Sequence, residues 1–533
     1  LLSAPVNFIK CIFRAVESNK TMLFSPINNV IVWKMKRRMQ RLERMMQHSV
    51  AIQNKLLLGL VSKAKGTKWG KKHKYSKIKN YQDFVKSVPL QDYESMKPVI
   101  EQIRKGKQNL LWPTEIKWFA KSSGTTSGKS KFIPVSHEAI EENHFAGGKD
   151  LLAFYTKLRP ETTLFTGYSL RLGGSTTFNS KNHETYFGDL SAVLIENFPF
   201  WVEIRSTPSQ SVALMEEWEQ KIVLIAEEAI KQDVTSMWGV NSWFLVLLHK
   251  VLEITGKSNI LEVWPNLDLF AHGGVSFAPY EEQFKKIIPG NKIAYIENYN
   301  ASEGFFAIQD TIPSKGLLLL LDHGIFYEFI PMDEFVGKES KAISLAEVKL
   351  DVNYAIVIST NAGLWRYIVG DTVKFTSLNP YRIQISGRTK NFINAFGEEL
   401  IIENAEAAVK FASEKTSAEV LEFMAAPVYM QDNKSGAHEW VFEFLKAPDN
   451  LDSFAAHLDA ELKNINSDYE AKRHKNMALN PPIIHLGRKD VFHDWLKTKG
   501  KLGGQNKIPR LMNDRSAIDT LLQLNGQKNE SKD

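Results

Sequence analysis

Apolar residues recur at helical spacing in the first part of the chain. Between residues 32 and 60 they alternate with basic residues, which predicts an amphipathic helix. We expect its Met and Leu side chains to pack on the body of the protein and its Lys and Arg side chains to be solvated. A membrane-surface or nucleic-acid helix is the alternative. Residues 63–79 are predicted to form a basic, solvated loop.

Beyond residue 110, short apolar runs alternate with longer helical patterns, which predicts an α/β domain with helices covering sheets. Ser136 is the expected N-cap of one of these helices. The predicted strands are 115–119, 292–298, 316–321, 324–330 and 354–359, and the predicted helices are 137–158, 211–231 and 242–254.

After about Pro380 the pattern changes to a second set of elements, which predicts a compact α+β domain of about 130 residues. A polar tail follows it and is expected to fray. The predicted strands are 381–385, 420–430, 439–445 and 482–486, and the predicted helices are 398–413 and 451–464.

Composition limits the class of protein. The chain has 533 residues, 43% of them apolar, so we expect at least two folded domains rather than a disordered or fibrous protein. Its one cysteine, Cys11, excludes an intrachain disulfide and a multi-thiolate zinc site, and fits a reducing compartment. No apolar run reaches the ~18 residues that span a bilayer, so we expect a soluble, cytoplasmic protein without stable membrane insertion.

Charge is distributed unevenly. Residues 1–110 carry 23 basic and 6 acidic side chains, whereas the remaining 423 residues carry 44 basic and 54 acidic ones. Nucleic acid, an anionic membrane or a phosphate-bearing ligand would each suit the basic segment. Charge alone does not choose among them.

The most informative segment is the hydroxyl-rich stretch 122–131. Its glycines allow consecutive backbone N–H groups to converge on an anion, and Lys131 adds a cation. We expect this loop to follow a strand and precede a helix, as phosphate loops do. A P-loop requires four residues between its two glycines, but only three separate Gly124 from Gly128. A plain polar surface loop is the other alternative.

Two further segments suit a nucleotide. In Tyr299-Asn300-Ala301-Ser302-Glu303 the Tyr ring can stack on a purine, the Ser hydroxyl can meet a phosphate and Glu303 can bind Mg²⁺. In the segment 365–373, Asp371 can accept hydrogen bonds from ribose hydroxyls. A structural Tyr in a turn and an Asp capping a Gly turn are the respective alternatives.

Two glycine-containing segments complete the candidates. Gly273 and Gly274 follow His272, and their missing side chains would let a flat ring or acyl group approach the backbone, unless they form only a tight turn. Lys507 lies in the glycine-rich stretch 500–510. A mobile lysine there could neutralise charge on a transferring group, although a loop lysine is usually only solvated.

In this order and spacing, these segments resemble the adenylate-forming superfamily, and within it the Gretchen Hagen three (auxin-responsive) family of acyl-acid amido synthetases, in a bacterial-type version. The matching elements are 122–131, Tyr-x-x-Ser-Glu at 299–303, the Arg-Tyr-Ile-Val-Gly-Asp region at 366–371 and Gln-x-Lys-x-Pro-Arg at 505–510. Trp365 replaces the Tyr expected before Arg366. The resemblance covers about residues 30 to 515.

The resemblance implies a large N-terminal domain and a smaller, mobile C-terminal domain with the active site between them. The hinge is expected near residues 386–390. The implied units are an atypical extension 1–30, an ATP- and acyl-binding domain 31–386, a small domain 387–525 and a tail 526–533.

The implied reaction uses ATP and Mg²⁺ to activate a small carboxylic acid as an acyl-adenylate, which then reacts with an amine, usually an amino acid. Lys507 and Lys131 are the implied catalytic residues, and Glu303 is the implied metal ligand. The residues assigned to the nucleotide are Ser122, Ser123, Gly124, Thr125, Thr126, Ser127, Gly128, Gly273, Gly274, Tyr299, Asn300, Ser302, Glu303, Asp371 and Arg388.

Two other functions stay open from the sequence. An acid–thiol ligase that uses coenzyme A shares the first half-reaction. A non-catalytic protein that binds nucleic acid or membrane rests only on the basic N-terminal charge. The acid, the amine and the oligomeric state cannot be read from the sequence, and nucleic acid is not an expected partner.

Overall fold

The computed structural model describes residues 20–122, 131–174, 176–178, 185–389, 392–430, 435–476, 478–498 and 508–526. Its N-terminal segment forms two helices, α1 (Lys20–Gln47) and α2 (Ser49–Ala64), rather than the single predicted helix. Met39, Leu42 and Met45 of α1 are buried in the core, so the expected packing on the body is confirmed. The predicted basic loop is wrong in part, because it contains helix α3 (Lys68–Lys72).

Helix α3 forms because its ends are satisfied locally. The hydroxyl of Thr67 accepts a hydrogen bond from the N–H of Gly70, and Trp69 is buried. The five residues of α3 therefore form a packed helix, although the lysines among them are typical of a solvated loop.

A mixed sheet of twelve strands forms the centre of the described chain, in the order β13-β12-β14-β15-β16-β11-β10-β9-β8-β7-β3-β6. Its strands are β3 (Tyr168–Arg171), β6 (Ser206–Thr207), β7 (Val234–Gly239), β8 (Leu269–His272), β9 (Ala294–Ala301), β10 (Gly304–Gln309), β11 (Leu317–Leu319), β12 (Ile325–Pro331), β13 (Ile343–Ser344), β14 (Asn353–Thr360), β15 (Tyr367–Leu378) and β16 (Tyr381–Arg388).

One end of this sheet is parallel and the other is antiparallel. Strands β6, β3, β7, β8 and β9 run in the same direction, and β9 then pairs antiparallel with β10. The carboxyl ends of the parallel strands therefore meet at one edge, where open α/β sheets bind ligands.

A separate four-stranded sheet, in the order β2-β1-β5-β4, carries the hydroxyl-rich segment. Strand β1 pairs antiparallel with β2, so the next element after residues 123–130 is a strand. The expectation that this loop precedes a helix is wrong, because Lys131–Val135 forms a strand that pairs in register with β1. The strands are β1 (Trp118–Ser122), β2 (Lys131–Val135), β4 (Thr176–Phe178) and β5 (Tyr186–Gly188).

Helices cover these sheets. The hydroxyl of Ser136 accepts a hydrogen bond from the N–H of Ala139, as expected of an N-cap, but the predicted helix contains a π-helical turn before its α-helical part. The predicted helix 211–231 is divided into two. The other helices up to residue 287 are α4 (Tyr81–Ser87), α5 (Tyr93–Arg104), α6 (Phe145–Leu158), α7 (Leu190–Glu196), α8 (Phe200–Glu203), α9 (Gln210–Ala213), α10 (Trp218–Ala229), α11 (Asn241–Thr255) and α12 (Glu281–Ile287).

The C-terminal elements form a smaller α+β unit around a three-stranded sheet. Strand β19 pairs antiparallel with β20, and β20 pairs in parallel with β21. The predicted strand 381–385 does not join them, because β16 pairs with β15 and β11 in the large sheet. The elements are β17 (Phe392–Ile393), β18 (Leu400–Ile401), α13 (Ile402–Thr416), β19 (Glu419–Val428), β20 (Ala437–Lys446), α14 (Leu451–Ile465), α15 (Ser467–Arg473), β21 (Ile483–Gly487), α16 (Val491–Thr498) and α17 (Ser516–Gly526).

The two sets of elements pack against each other. The hydroxyl of Tyr280 donates a 2.5 Å hydrogen bond to the carbonyl oxygen of Ala395, and the side-chain amide of Gln283 donates to the carbonyl of Met430 at 2.6 Å. One buried apolar cluster includes residues from both sets. Among the described helices, none is long and apolar enough to cross a bilayer.

Candidate active site

A cavity of about 820 Å³ opens at the carboxyl ends of the parallel strands. Its walls come from β3, β7 and β8, from helices α6, α7 and α11, and from helix α15 of the C-terminal set. The volume lies in the upper part of the range for small-molecule sites, about 300–1,000 Å³. The cavity therefore has room for more than one small ligand group.

The glycines predicted at this site lie on the cavity wall directly after β8. A Cβ atom on Gly273 would lie 2.4 Å from the carbonyl oxygen of Asn298, and Gly274 has φ +83°. Both positions therefore require glycine for packing or conformation. The side-chain amide of Asn298 also donates to the carbonyl of His272 at 2.9 Å, which fixes the turn against β9.

The buried carboxylate of Asp371 joins three strands. Its Oδ2 accepts a 2.5 Å hydrogen bond from the hydroxyl of Tyr299 on β9, and its Oδ1 accepts one of 2.9 Å from Nε of Arg388 on β16. Arg388 also lies 3.4 Å from a carboxylate oxygen of Glu399, which lines the cavity. Burial alone would lower the pKa of Arg388. The charges of the nearby carboxylates, with that of Glu399 the largest, outweigh burial and raise the pKa above its ordinary value, so Arg388 stays protonated.

Glu303 lies in the turn between β9 and β10, next to this network. The pKa of Glu303 is raised to about 7, mainly by burial. The charge of Lys131 lowers this pKa, and the charge of Asp371 raises it. The carboxyl group is therefore poised to lose a proton when a cation arrives. Among the described residues, no group of three His, Cys, Asp or Glu side chains forms a metal cage.

Asn300 and Ser302 both line the cavity. The side-chain oxygen of Asn300 accepts a 3.0 Å hydrogen bond from the ring N–H of His144, and burial lowers the pKa of His144 to about 4. His144 is therefore neutral at pH 7 and orients Asn300 as a hydrogen-bonding group rather than as a charge.

The hydroxyl-rich segment is described only at its two ends. Ser122 lines the cavity and pairs in register with Lys131. The predicted residues Ser123, Gly124, Thr125, Thr126, Ser127 and Gly128 lie outside the described residues, as does Lys507.

Arg366, in the segment that precedes Asp371, faces away from this site. Its guanidinium donates to both carboxylate oxygens of Glu328 at 2.8 to 3.1 Å and to the carbonyl of Val88 at 2.8 Å. The hydroxyl of Tyr81 also donates to Glu328, at 2.9 Å. Arg366 is thus a structural residue that holds the N-terminal helices to the sheet.

Sequence reasoning missed several cavity residues. A sequence feature that marks their neighbourhood is the Leu172-Gly173-Gly174 run after β3, which resembles the glycine turn after β8. Lys221 donates to the carbonyls of Gly173 and Gly174 at 2.6 and 3.1 Å, and burial lowers the pKa of this lysine to about 8. The other missed residues on the wall include Arg171, Phe198, Trp238, Trp243 and Lys472.

Three family models match the chain: the GH3 family N-terminal domain at residues 38–293, the central domain at 318–388 and the C-terminal domain at 403–516. A sequence relative, the 4-substituted benzoates-glutamate ligase GH3.12 of Arabidopsis thaliana, is 22% identical over 524 residues, which cover 82% of this chain and 88% of the relative. A second, the jasmonoyl–L-amino acid synthetase GH3.5 of Oryza sativa subsp. japonica, is 25% identical over 506 residues, covering 80% and 86%.

A solved structure is similar across almost the whole chain. The GH3.15 acyl acid amido synthetase in complex with 2,4-DB has a TM-score of 0.59 at 16% identity, covering 92% of this chain and 96% of that one. This likeness supports the predicted fold class of a large α/β domain followed by a smaller α+β domain.

Proposed function

Because this chain belongs to the GH3 family, we propose that it is an ATP-dependent ligase that joins a carboxylic acid to an amine, with an amino acid as the expected amine. In the first half-reaction, the carboxylate attacks the α-phosphate of ATP, forms an acyl-adenylate and releases pyrophosphate. In the second, the amine attacks the activated carbonyl carbon and releases AMP. Adenylation is needed because a carboxylate by itself has no adequate leaving group.

The observation that carries the proposal is the Tyr299–Asp371–Arg388 network beside a cavity whose wall contains Gly273 and Gly274. We assign Asp371 to the ribose hydroxyls, since its carboxylate is already oriented by two donors. We assign the ring of Tyr299 to adenine, and the open backbone at the two glycines to the flat base or the acyl group.

Arg388 connects the proposed nucleotide site to the C-terminal elements. It bonds Asp371 on β15 and lies 3.4 Å from Glu399, which follows the proposed hinge at residues 386–390. A change in the position of Glu399 would therefore alter the charge balance around Asp371. The family model of the central domain ends at residue 388, which supports a boundary near the proposed division into a large domain 31–386 and a small domain 387–525.

The phosphates require donors and cations, because the attack brings a carboxylate towards a polyanion. We assign Ser122 to Gly128 and Lys131 to the phosphates, with Asn300 and Ser302 on the adjoining wall. We assign Lys507 to the adenylate. The position of Ser122 on the cavity and the pairing of Ser122 with Lys131 support the first of these assignments.

Mg²⁺ fits Glu303. Magnesium is commonly held by one or two protein carboxylates together with substrate phosphates, so a single carboxylate beside the phosphate segment is sufficient. The raised pKa of Glu303 shows that its charge is poorly compensated by the protein, and a bound cation would compensate it. Bound magnesium would offset the charge of the phosphates; Glu303 itself would supply the carboxylate oxygen that holds it.

Acid-dependent ATP–pyrophosphate exchange tests this function. A panel of aryl and alkyl acids, without an amine, should give exchange with at least one acid, and adding amino acids should then give an amide and AMP. No exchange across the panel, with ATP binding intact, would refute the ligase. Mass spectrometry distinguishes an amide from the thioester of the coenzyme A alternative; the amino acid ligases among the sequence relatives favour the amide.

A further inference from the structure

Arg171 is a largely desolvated cation that has no carboxylate partner among the described residues. It is the last residue of β3, and its side chain lines the cavity. Its Nε is buried and has no hydrogen-bond partner among the described residues, and burial alone, with no charged neighbour, shifts its pKa. Burial lowers the pKa of Arg171 to about 10, which still leaves it charged at pH 7. A charge desolvated in this way is costly unless a ligand compensates it.

Two aromatic rings hold the guanidinium in place. Its Cζ lies 4.6 Å from the ring centroid of Phe198 and 5.6 Å from that of Trp238, and both rings line the cavity. Cation–π contacts fix the plane of a guanidinium but leave its N–H groups unsatisfied. These N–H groups match the two oxygens of a carboxylate.

Lys221, another cation on this wall, is buried and already compensated. Lys221 donates to three carbonyl oxygens, those of Gly173, Gly174 and Met215, and the charge of Asp189 raises its pKa against the larger effect of burial. The protein itself thus compensates the charge of Lys221, whereas the charge of Arg171 has no carboxylate partner among the described residues.

The strand register separates Arg171 from the proposed nucleotide position. Arg171 is opposite Trp238 on β7, which is opposite Ala271 on β8, just before the glycine turn. Neighbouring strands lie about 4.8 Å apart, so the backbone of Arg171 is roughly 10 Å from that of Ala271. Arg171 therefore lies two strands away from the glycines assigned to the base.

We propose that Arg171 binds a substrate carboxylate that is not the one being adenylated. Two molecules can supply it: the α-carboxylate of the amino acid acceptor, or a second carboxylate on the acid. This inference rests on the proposed function, which supplies both substrates. It makes Arg171 the residue by which the enzyme selects one anionic substrate over a neutral analogue.

The test compares R171M, R171K and the control R205M. Arg205 lies beside β6 in the same sheet, with its Cζ 5.9 Å from the ring centroid of Tyr168, and does not line the cavity. Wild-type exchange tests the proposed function, and the difference between variants tests the role of Arg171.

If the acceptor carboxylate is the ligand, R171M leaves acid-dependent exchange within about twofold and raises KM for the amino acid about 10- to 100-fold, the loss expected for a charge-assisted pair. The amino acid carboxamide is then unaffected, and R171K retains part of the preference. If the acid supplies the carboxylate, KM for dicarboxylic acids rises in the exchange assay while KM for monocarboxylic acids does not.

Changes below twofold in both assays, in a folded R171M protein, would overturn the inference, as would equal changes in R205M. If R171M does not fold, R171K and R171Q give the same comparison. A binding assay gives a readout that does not depend on enzyme activity. In titrations, wild type should bind N-acyl amino acids more tightly than their carboxamides, and R171Q should lose this preference. Wild type without such a preference would exclude the acceptor carboxylate as the ligand, and an unchanged KM for dicarboxylic acids in R171M would then overturn the inference.

Discussion

The phenol hydroxyl of Tyr299 donates a 2.5 Å hydrogen bond to the carboxylate of Asp371, 72 residues later in the chain. Burial raises the pKa of Tyr299 well above its ordinary value, and the charge of Asp371 raises it further, so the phenol keeps its proton and stays a donor. The carboxylate is thereby held in one orientation before any ligand binds.

Replacing Asp371 with Ala should weaken ATP binding by about 10- to 100-fold, because it removes the proposed ribose acceptor and leaves Tyr299 and Arg388 without their shared partner. Isothermal titration with ATP measures the effect. The exposed Asp333→Ala change is the control and should bind ATP like wild type. Unchanged affinity in a folded Asp371→Ala protein would remove the ribose assignment.

Glu303 should make the free protein less stable as pH rises. Its folded-state pKa is about 7 against an ordinary 4.5, so the folded chain binds more protons than the unfolded chain between these values. The free energy of unfolding therefore falls from pH 4.5 to 7 because of this group. The Glu303→Gln protein cannot ionise at this position, so its Tm should increasingly exceed that of wild type as pH rises from 4.5 to 7.

Thermal denaturation at pH 5, 6, 7 and 8 checks this prediction. The gain in Tm should be small at pH 5 and largest at pH 8. Glu334→Gln, at an exposed turn, should show the same difference from wild type at every pH. A Glu303→Gln difference that is flat or decreases with pH would contradict the raised pKa.

Arg366→Met should destabilise the fold by about 3–5 kcal/mol, because Glu328 would stay buried with an unpaired charge. Denaturant unfolding measures the loss. The double change Arg366→Met with Glu328→Leu should recover much of it, since both charges are then removed. Loss of exchange activity in a fully folded single variant, with no loss of stability, would instead place Arg366 in the active site.

Local patterns predicted much of the fold. The strands near Ile325 and Tyr354, the helix near Ser242 and the cap at Ser136 follow from neighbouring residues, and the structure confirms them. Strand β10 (Gly304–Gln309) was missed because a strand buried on both faces has no alternation to read. The break at His48 was also invisible, because helical spacing continues across it.

The site was predictable only in part, for a related reason. Asp371 and Tyr299 stand in recognisable segments, but their hydrogen bond depends on the pairing of distant strands. Arg366 and Asp371 are five residues apart and look equally functional in sequence; only the position of Glu328 shows that Arg366 is structural. The glycine run after β3 marks the neighbourhood of Arg171, but its contacts with Phe198 and Trp238 depend on the folded cavity wall and leave no pattern in the sequence.

The most direct test of adenylation follows oxygen from the acid. An acid labelled with ¹⁸O in both carboxylate positions is incubated with ATP, Mg²⁺ and an amino acid, and the products are analysed by mass spectrometry. Attack on the α-phosphate followed by amide formation transfers one labelled oxygen to AMP and leaves the other in the amide. Unlabelled AMP beside a formed amide, or ADP with labelled phosphate, would contradict the acyl-adenylate.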